Sequence, residues 1–412
     1  MSLEIEVDPG EVGFDAARLN RIDQHFARYV ESGKLPGWLV LVARQGKIAH
    51  LSTHGMRDIA DDAPVRTDTL FRVFSMTKPV TSVAIMMLYE QGAFELTDPV
   101  SDFIPSFADL RVYTGGSARA HQTRPATEQM RIWHLLTHTA GLTYAFQYLH
   151  PVDELYRRAG FEFGMADDLD LAGCCDEWAG MPLLFDPGTA WNYSVATDVL
   201  GRIVEIVSGQ TLDEFFRTRI FEPLGMIDTG FAVDRANADR LATLYVADAL
   251  GRAHPHPKQA ELRAMAFDQP KALSGGGGLF SSAHDYHRFT QLLLRKGELD
   301  GTRLLGSRTV RYMTRNHLPG GADLETLALG AFSEAANAGK GFGLGFSVVD
   351  DPAAAKVLSS PGEFAWGGLA STAFWVDPAE DLTVLFLTQL MPSSTHPIRP
   401  QLHQLVYQSL VD

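Results

Sequence analysis

Ser75-Met76-Thr77-Lys78 sets a hydroxyl nucleophile and an amine one helical turn apart. The pair heads a segment, Ser75 to Gln91, in which Met76, Val80, Val83, Ala84, Met87 and Leu88 recur at helical spacing, with Gly92 as a stop signal. On a helix, positions i and i+3 are surface neighbours, so the Lys78 amine can reach the Ser75 hydroxyl. A serine hydroxyl attacks carbonyl carbon poorly until a base takes its proton, and a lysine whose pKa is lowered by burial can be that base. A chain of 412 residues shows about one Ser-x-x-Lys by chance. A serine N-cap beside a solvated lysine has the same spacing.

Two further segments bear on the choice. Trp191-Asn192-Tyr193-Ser194-Val195 lies far enough downstream to fold back on the first motif. A tyrosine phenol titrates near ~10 and lysine near ~10.4, so the two can share and relay a proton if buried together. Trp366-Gly367-Gly368-Leu369 interrupts a segment that otherwise alternates like a strand. Adjacent glycines there mark a bulge or a close approach of another backbone or a ligand. A backbone N–H at such a point can form half of an oxyanion hole. The plainer readings are a core tyrosine and a packing bulge. Both become harder to hold when the three segments are taken together.

In this order the three elements resemble the serine β-lactamase and penicillin-binding protein superfamily. The class C branch carries Ser-x-x-Lys, Tyr-x-Asn and Lys-Thr-Gly. The chain is more similar to the family VIII carboxylesterases, which carry Tyr-Ser-x second and Trp-x-Gly third. Leu135 to Leu142, Phe221 to Met226 and Gly275 to Ser281 look like further blocks of that group, and the likeness spans about Pro36 to Leu390. It implies a fold of the α+β class, β-lactamase-like: an antiparallel sheet flanked by helices plus an inserted, mostly helical domain, with the active site in the cleft between.

The resemblance makes Ser75 the nucleophile and Lys78 with Tyr193 the coupled proton acceptor and donor. Backbone N–H groups of Ser75 and Leu369 would hold the oxyanion. Trp366, Gly367, Gly368, Val195 and Tyr144 are the expected substrate-binding positions. Two departures from the β-lactamase pattern concern substrate. Val195 stands where that family has an asparagine and cannot hydrogen-bond an acyl amide. Trp366 stands where it has a lysine for the lactam carboxylate. A site without both groups favours a small neutral ester over an anionic lactam, with weak β-lactam hydrolysis as a possible side activity. An acyltransferase of the same superfamily would present the same Ser, Lys and Tyr. A true β-lactamase or D-peptidase is weakened by Val195 and Trp366. A non-catalytic binding relative would have little use for all three polar residues.

Composition sets outer bounds. The apolar fraction of 45% and charged fraction of 21% are those of an ordinary globular protein. A net charge of −15 disfavours nucleic acid and anionic membrane as partners. The acidic opening Met1 to Asp8 lacks a secretory h-region, and no apolar run is long enough to span a bilayer. Cys174 and Cys175, adjacent in sequence, make an unlikely bridge, so a reducing cytoplasmic location is the expectation. The expected partner is a small-molecule ester, with no cofactor, and no patterning fixes an oligomeric state.

The elements that must position these residues follow from periodicity. Phe14 to Ser32 reads as a helix, and Trp38 to Ala43 and Lys47 to Ser52 as strands around the turn Gln45-Gly46. From Leu96 to about Pro270 the chain is rich in helices and loops, clearest at Val199 to Ser208 and Leu212 to Ile220. Strand patterns return at Phe342 to Val349, Ala370 to Val376 and Leu382 to Leu390, and Pro397 to Leu410 reads as a closing helix. Residues 1–95 and 271–412 are therefore expected to build one sheet domain from both chain ends, with 96–270 inserted as a helical domain. The glycine run 275–278 is too short for a linker and reads as a tight crossing near the site. His134 and His138 have a zinc-like i, i+4 spacing, but no glutamate follows His134 and no third ligand is evident, so no metal is expected. His254 and His256 alternate with prolines and read as loop residues. Phe146 and Tyr148 are wall or core. No Gly-x-Ser-x-Gly nucleophile elbow is present, which argues against an α/β-hydrolase.

Overall fold

The computed structural model describes residues 3–411 apart from 163, 167 and 330–337. Its centre is an eight-stranded antiparallel sheet. The strands are β1 (Gly37–Arg44), β2 (Lys47–Asp58), β3 (Ala63–Pro64), β4 (Lys340–Phe342), β5 (Ser347–Val349), β6 (Phe364–Gly367), β7 (Ala373–Asp377) and β8 (Leu382–Leu387). They lie in the order β4-β5-β6-β7-β8-β1-β2-β3. The two ends of the chain therefore meet where β1 pairs with β8, in the register Leu39↔Leu387 to Arg44↔Leu382.

β1 and β8 are buried along their whole lengths. Successive strand residues point to opposite faces, so near-continuous apolar runs are what a sheet covered on both sides requires. On one face Trp38, Val40, Val42, Val384 and Phe386 pack under α1 (Arg21–Glu31) and the closing helix α5 (Ile398–Tyr407), through Ile22, Phe26, Leu402 and Val406. On the other, Leu39, Leu41, Phe374 and Leu385 share one core with the buried residues of α2 (Thr77–Glu90) and α4 (Ala283–Leu294), and α4 packs on β7 and β8, with the Tyr286 and Phe374 rings 5.2 Å apart.

Several elements differ from the periodicity reading. The N-terminal helix is interrupted at Asn20, giving Ala16–Leu19 and then α1. The segment Phe342 to Val349 is not one strand: it turns at Gly343 to Phe346, Gly345 is left-handed (φ +95°), and β4 pairs back on β5. β7 begins only at Ala373, after Ser371 at φ +66°. The stretch after β8 leaves the sheet, and Leu390–Met391 pairs parallel with Tyr245–Ala247. Helix α2 is buried all round from Thr77 to Leu88 rather than along one stripe, with α3 (Ala196–Ser208) packed along it. Between residues 96 and 270 the structure adds two ladders that periodicity did not reveal, Arg111–Ser117 with Ala120–Pro125 and Tyr245–Ala247 with Ala253–Pro255. No helix among the described residues is long and apolar enough to cross a membrane.

Candidate active site

Ser75 lies on a single 3₁₀ turn, Phe74–Met76, that leads directly into α2. Phe74 adopts φ +44°, an uncommon conformation for a bulky residue and one that tends to persist where surrounding structure over-determines it. The surroundings here do so. Val73 N–H donates to the Leu279 carbonyl at 3.1 Å, Leu279 N–H donates to Thr77 Oγ1 at 3.1 Å, and the buried Tyr286 hydroxyl donates to the Met76 carbonyl at 2.8 Å. Ser75 is thus carried on a turn clamped from two sides.

Lys78 follows on the first turn of α2 and is 2% exposed. Its Nζ lies 2.6 Å from the Gly276 carbonyl oxygen, 3.0 Å from Tyr144 Oη and 3.4 Å from Ser75 Oγ. Burial pulls its pKa down to about 7, opposed by the charge of Asp198. A neutral amine has two N–H donors and one lone pair. With the Gly276 and Tyr144 oxygens taking the donors, the lone pair is left for the serine proton.

The Gly275-Gly276 crossing is as tight as the glycine run suggested. A Cβ at Gly276 would stand 2.5 Å from Asp198 Oδ2 and 2.8 Å from Tyr144 Oη, and one at Gly275 would be 2.9 Å from the Thr197 carbonyl oxygen. Side chains there would push the backbone away and take the carbonyl off Lys78.

Tyr193 is buried, and its ring centroid lies 4.5 Å from Lys78 Nζ. Asn192 holds the segment, donating from its side chain to the Leu142 carbonyl and from its backbone to the His138 carbonyl, each at 2.9 Å. The Tyr193 ring packs against Trp366 at 5.5 Å and His138 at 5.0 Å. Trp366 is 7% exposed on β6 and meets Phe342 edge-on at 5.4 Å. Gly368 lies against the Val73 carbonyl, just ahead of the serine turn, and against Thr372, which explains why no side chain is carried there. Gly367 is pressed in the same way against Thr372 and Arg399.

Ser75, Tyr144, Tyr193, Trp366, Gly367, Gly368 and Leu369 all line one cavity of about 470 Å³. Phe146, Leu149, Met165 and Met391 supply apolar wall, and no lysine, arginine or histidine is found among its described lining residues. Phe146 stacks on Tyr144 with centroids 4.7 Å apart, whereas Tyr148 is 63% exposed.

Val195 is placed otherwise than expected. It is fully buried at the N-terminus of α3, among core residues, and does not line the cavity. The helix starts at Ala196, three residues earlier than its periodicity implied, and this turns Val195 into the core. Tyr144 is more than a wall, since its hydroxyl accepts from Lys78 and donates to Asp198 Oδ2 at 3.4 Å.

Asp198 was missed by sequence reasoning. Its buried carboxylate also accepts from Ser274 Oγ at 2.7 Å and from Gly276 N–H at 2.8 Å. Burial raises its pKa, while the Lys78 charge pulls the other way. The signal was available: an aspartate within the apolar run Val195 to Val204, five residues after Tyr193, needs a partner if it is helical and buried. His134 and His138 serve different neighbours. His134 Nδ1 accepts from the Arg131 N–H at 3.0 Å, and His138 Nδ1 lies 3.3 Å from Ser194 Oγ. Burial lowers both pKa values, that of His134 to about 4.

A two-sided antiparallel sheet, with a serine and a buried lysine at the head of the central helix and a tyrosine facing them, defines a serine hydrolase of the β-lactamase-like fold. The beta-lactamase family model matches residues 22–408, and the chain belongs to that family. It is 33% identical over 397 residues to Esterase EstB of Burkholderia gladioli, covering 93% of each chain. It is 26% identical over 421 residues to the ML-236A carboxylate methylbutanoyltransferase mlcH of Penicillium citrinum, covering 95% of this chain and 94% of the other. Among solved structures it resembles EstCE1, described as a hydrolase with promiscuous acyltransferase activity, with a TM-score of 0.79 and 28% identity over 97% of this chain and 99% of the other.

Proposed function

We propose that this protein is a carboxylesterase acting on small neutral esters through an acyl-enzyme on Ser75. The observation that carries the reading is Lys78: a buried amine held near neutrality, 3.4 Å from a serine hydroxyl at the wall of an apolar cavity. Ser75 Oγ attacks the ester carbonyl carbon as its proton passes to Lys78, and the carbonyl π pair moves onto oxygen. The N–H groups of Ser75 and Leu369 would receive that oxyanion. Collapse of the intermediate breaks the carbon–alkoxy bond, and the proton leaves with the alcohol through the Lys78–Tyr193 pair. Water then repeats the sequence on the acyl-enzyme and releases the acid.

A neutral substrate is favoured by the cavity wall. It offers no cationic side chain among the described residues, and its one acidic group, Asp198, would repel a carboxylate. The relative EstB is named as an esterase, which supports this reading. Acyl transfer to an alcohol is a second reading, supported by mlcH and by the description of EstCE1. The deciding experiment uses p-nitrophenyl esters of graded chain length beside a chromogenic cephalosporin, with Ser75→Ala as control. Esters should be preferred, and a fluorophosphonate should label Ser75 alone. An adduct mapped to another serine, or a preference for the cephalosporin, refutes the esterase reading. Added butanol that diverts acyl groups at the expense of hydrolysis would favour the transferase.

A further inference from the structure

We propose that Asp198, acting through the Tyr144 hydroxyl, is a positioning residue that fixes the Lys78 amine against Ser75 and tunes its protonation. The inference rests on the esterase reading. Three observations support it. First, the hydroxyl chain is continuous: Lys78 Nζ to Tyr144 Oη is 3.0 Å and Tyr144 Oη to Asp198 Oδ2 is 3.4 Å. Secondly, the carboxylate is anchored independently of both, by Ser274 Oγ and the Gly276 N–H. Thirdly, the same residue that anchors Asp198 through its N–H also receives Lys78 on its carbonyl, 2.6 Å away, so carboxylate and amine are indexed to one glycine.

The groups facing this pair from the surrounding elements are few. Tyr144 and Tyr193 present phenols, and burial raises the Tyr144 pKa well above its ordinary value. His138 is held neutral by burial and by the Lys78 charge. Cys174 and Cys175 face Asp198 from the helix Leu171–Ala179 as thiols whose pKa values burial raises. Across neutral pH the charges that change or oppose one another here are those of Lys78 and Asp198. When the serine proton arrives, Lys78 becomes an ammonium in an apolar enclosure. The carboxylate one hydroxyl away is the nearest negative charge able to compensate it, and it does so without approaching close enough to lock the lysine in its charged form.

The test is the pH profile of kcat/KM for a p-nitrophenyl ester. In the wild-type enzyme its low-pH limb should reflect Lys78, near pH 7. Asp198→Asn keeps the shape and removes the charge. The limb should then move down by about one pH unit or more, because an opposite charge within a few ångströms favours the cationic form by about that much. The plateau kcat should fall roughly tenfold or more while KM changes less. Asp198→Glu should bring the limb back towards its wild-type position. If Asp198→Asn does not fold, Tyr144→Phe removes only the bridging oxygen and should shift the limb in the same direction by a smaller amount. A limb that moves down in no folded variant overturns the proposal, even if the plateau drops, because loss of packing alone eases the desolvation of Lys78 and moves the limb up, not down. That outcome is distinct from failure of the esterase reading, which would appear as activity surviving Ser75→Ala.

Discussion

Gly368→Ala tests whether the glycine pair delivers a backbone donor to the reacting carbonyl. A methyl group at Gly368 would overlap the Val73 carbonyl oxygen and Thr372 Oγ1, and would sit 3.2 Å from the Val73 carbonyl carbon. Both carbonyl atoms are main chain, two residues before Ser75, so neither side can yield by turning a rotamer. Relief requires the end of β6 and the serine turn to separate by about an ångström, and a misplacement of ~1 Å costs on the order of 10²-fold in rate. Loss of one oxyanion donor gives a similar figure, roughly 10²–10³-fold in kcat. If the displaced group is a donor to the transition state rather than a wall of the cavity, kcat should fall much more than KM rises. The overpacking itself should cost about 1–3 kcal/mol of stability. The assay is steady-state hydrolysis of p-nitrophenyl acetate, normalised to the active sites titrated by a fluorophosphonate, beside a thermal unfolding curve. A folded Gly368→Ala enzyme with near-normal kcat would refute the idea that Leu369 supplies half of the oxyanion hole.

Tyr193→Phe should lower kcat by roughly 10²–10⁴-fold if the phenol relays protons; a rate close to wild type would leave it a packing residue. Val195→Asn should not redirect specificity, since it would bury an amide in the core, and a loss of about 1–3 kcal/mol in denaturant unfolding is expected. His134, His138 and His287 are buried and depressed in pKa, His134 and His287 to about 4, against an ordinary 6.5. Between those values the unfolded chain binds more protons than the folded one. Stability should therefore fall as pH drops from 6.5 towards 4, by about 1.4 kcal/mol per pH unit for each of His134 and His287, with His138 acting in the same direction, and His287→Gln should flatten the measured dependence. Trp366→Lys should shift the ratio of kcat/KM for a neutral ester to that for a cephalosporin roughly tenfold to a hundredfold towards the lactam, the worth of one charge-assisted hydrogen bond; an unmoved ratio would remove Trp366 from the binding wall.

What the sequence disclosed and what it concealed divide along physical lines. Ser75, Lys78 and Tyr193 stood out in the sequence because their chemistry is unusual at their spacing, and the structure brings the three together; the central strands were legible because β1 and β8 are apolar along their whole length. The break at Gly343 to Phe346 was concealed because residues on either side of it keep an apolar pattern, while the turn is set by Gly345 and by pairing with a neighbouring strand. Val195 was misplaced because its role was assigned from its offset to Tyr193. Whether it faces cavity or core depends on where α3 begins. Asp198 and the Gly276 carbonyl were missed for a related reason. The partners that place them beside Lys78 come from segments 54 to 198 residues away in sequence, and no local pattern encodes such a meeting.

On the esterase reading, base activation and substrate preference in this site share one physical origin. Holding a lysine at about 7 rather than 10.5 disfavours its charged form by roughly 5 kcal/mol, and desolvation is the main cause. The rings beside the amine are Tyr144 and Tyr193, and behind Tyr193 lie Trp191, Phe342 and Trp366, the five packing within 5.3 to 6.3 Å of one another. Trp366 also faces the cavity. An apolar wall able to neutralise Lys78 therefore excludes a charged substrate group at the same place. A lysine at 366 would offer a carboxylate its counter-charge, but it would also open the ring cluster and let water towards Lys78, easing the desolvation that keeps its pKa low. A second cation nearby would push that pKa the other way. If admission of water is the larger effect, Trp366→Lys should raise the low-pH limb of ester hydrolysis as well as change the substrate ratio. A changed ratio with an unmoved limb would show that the wall and the base are set independently.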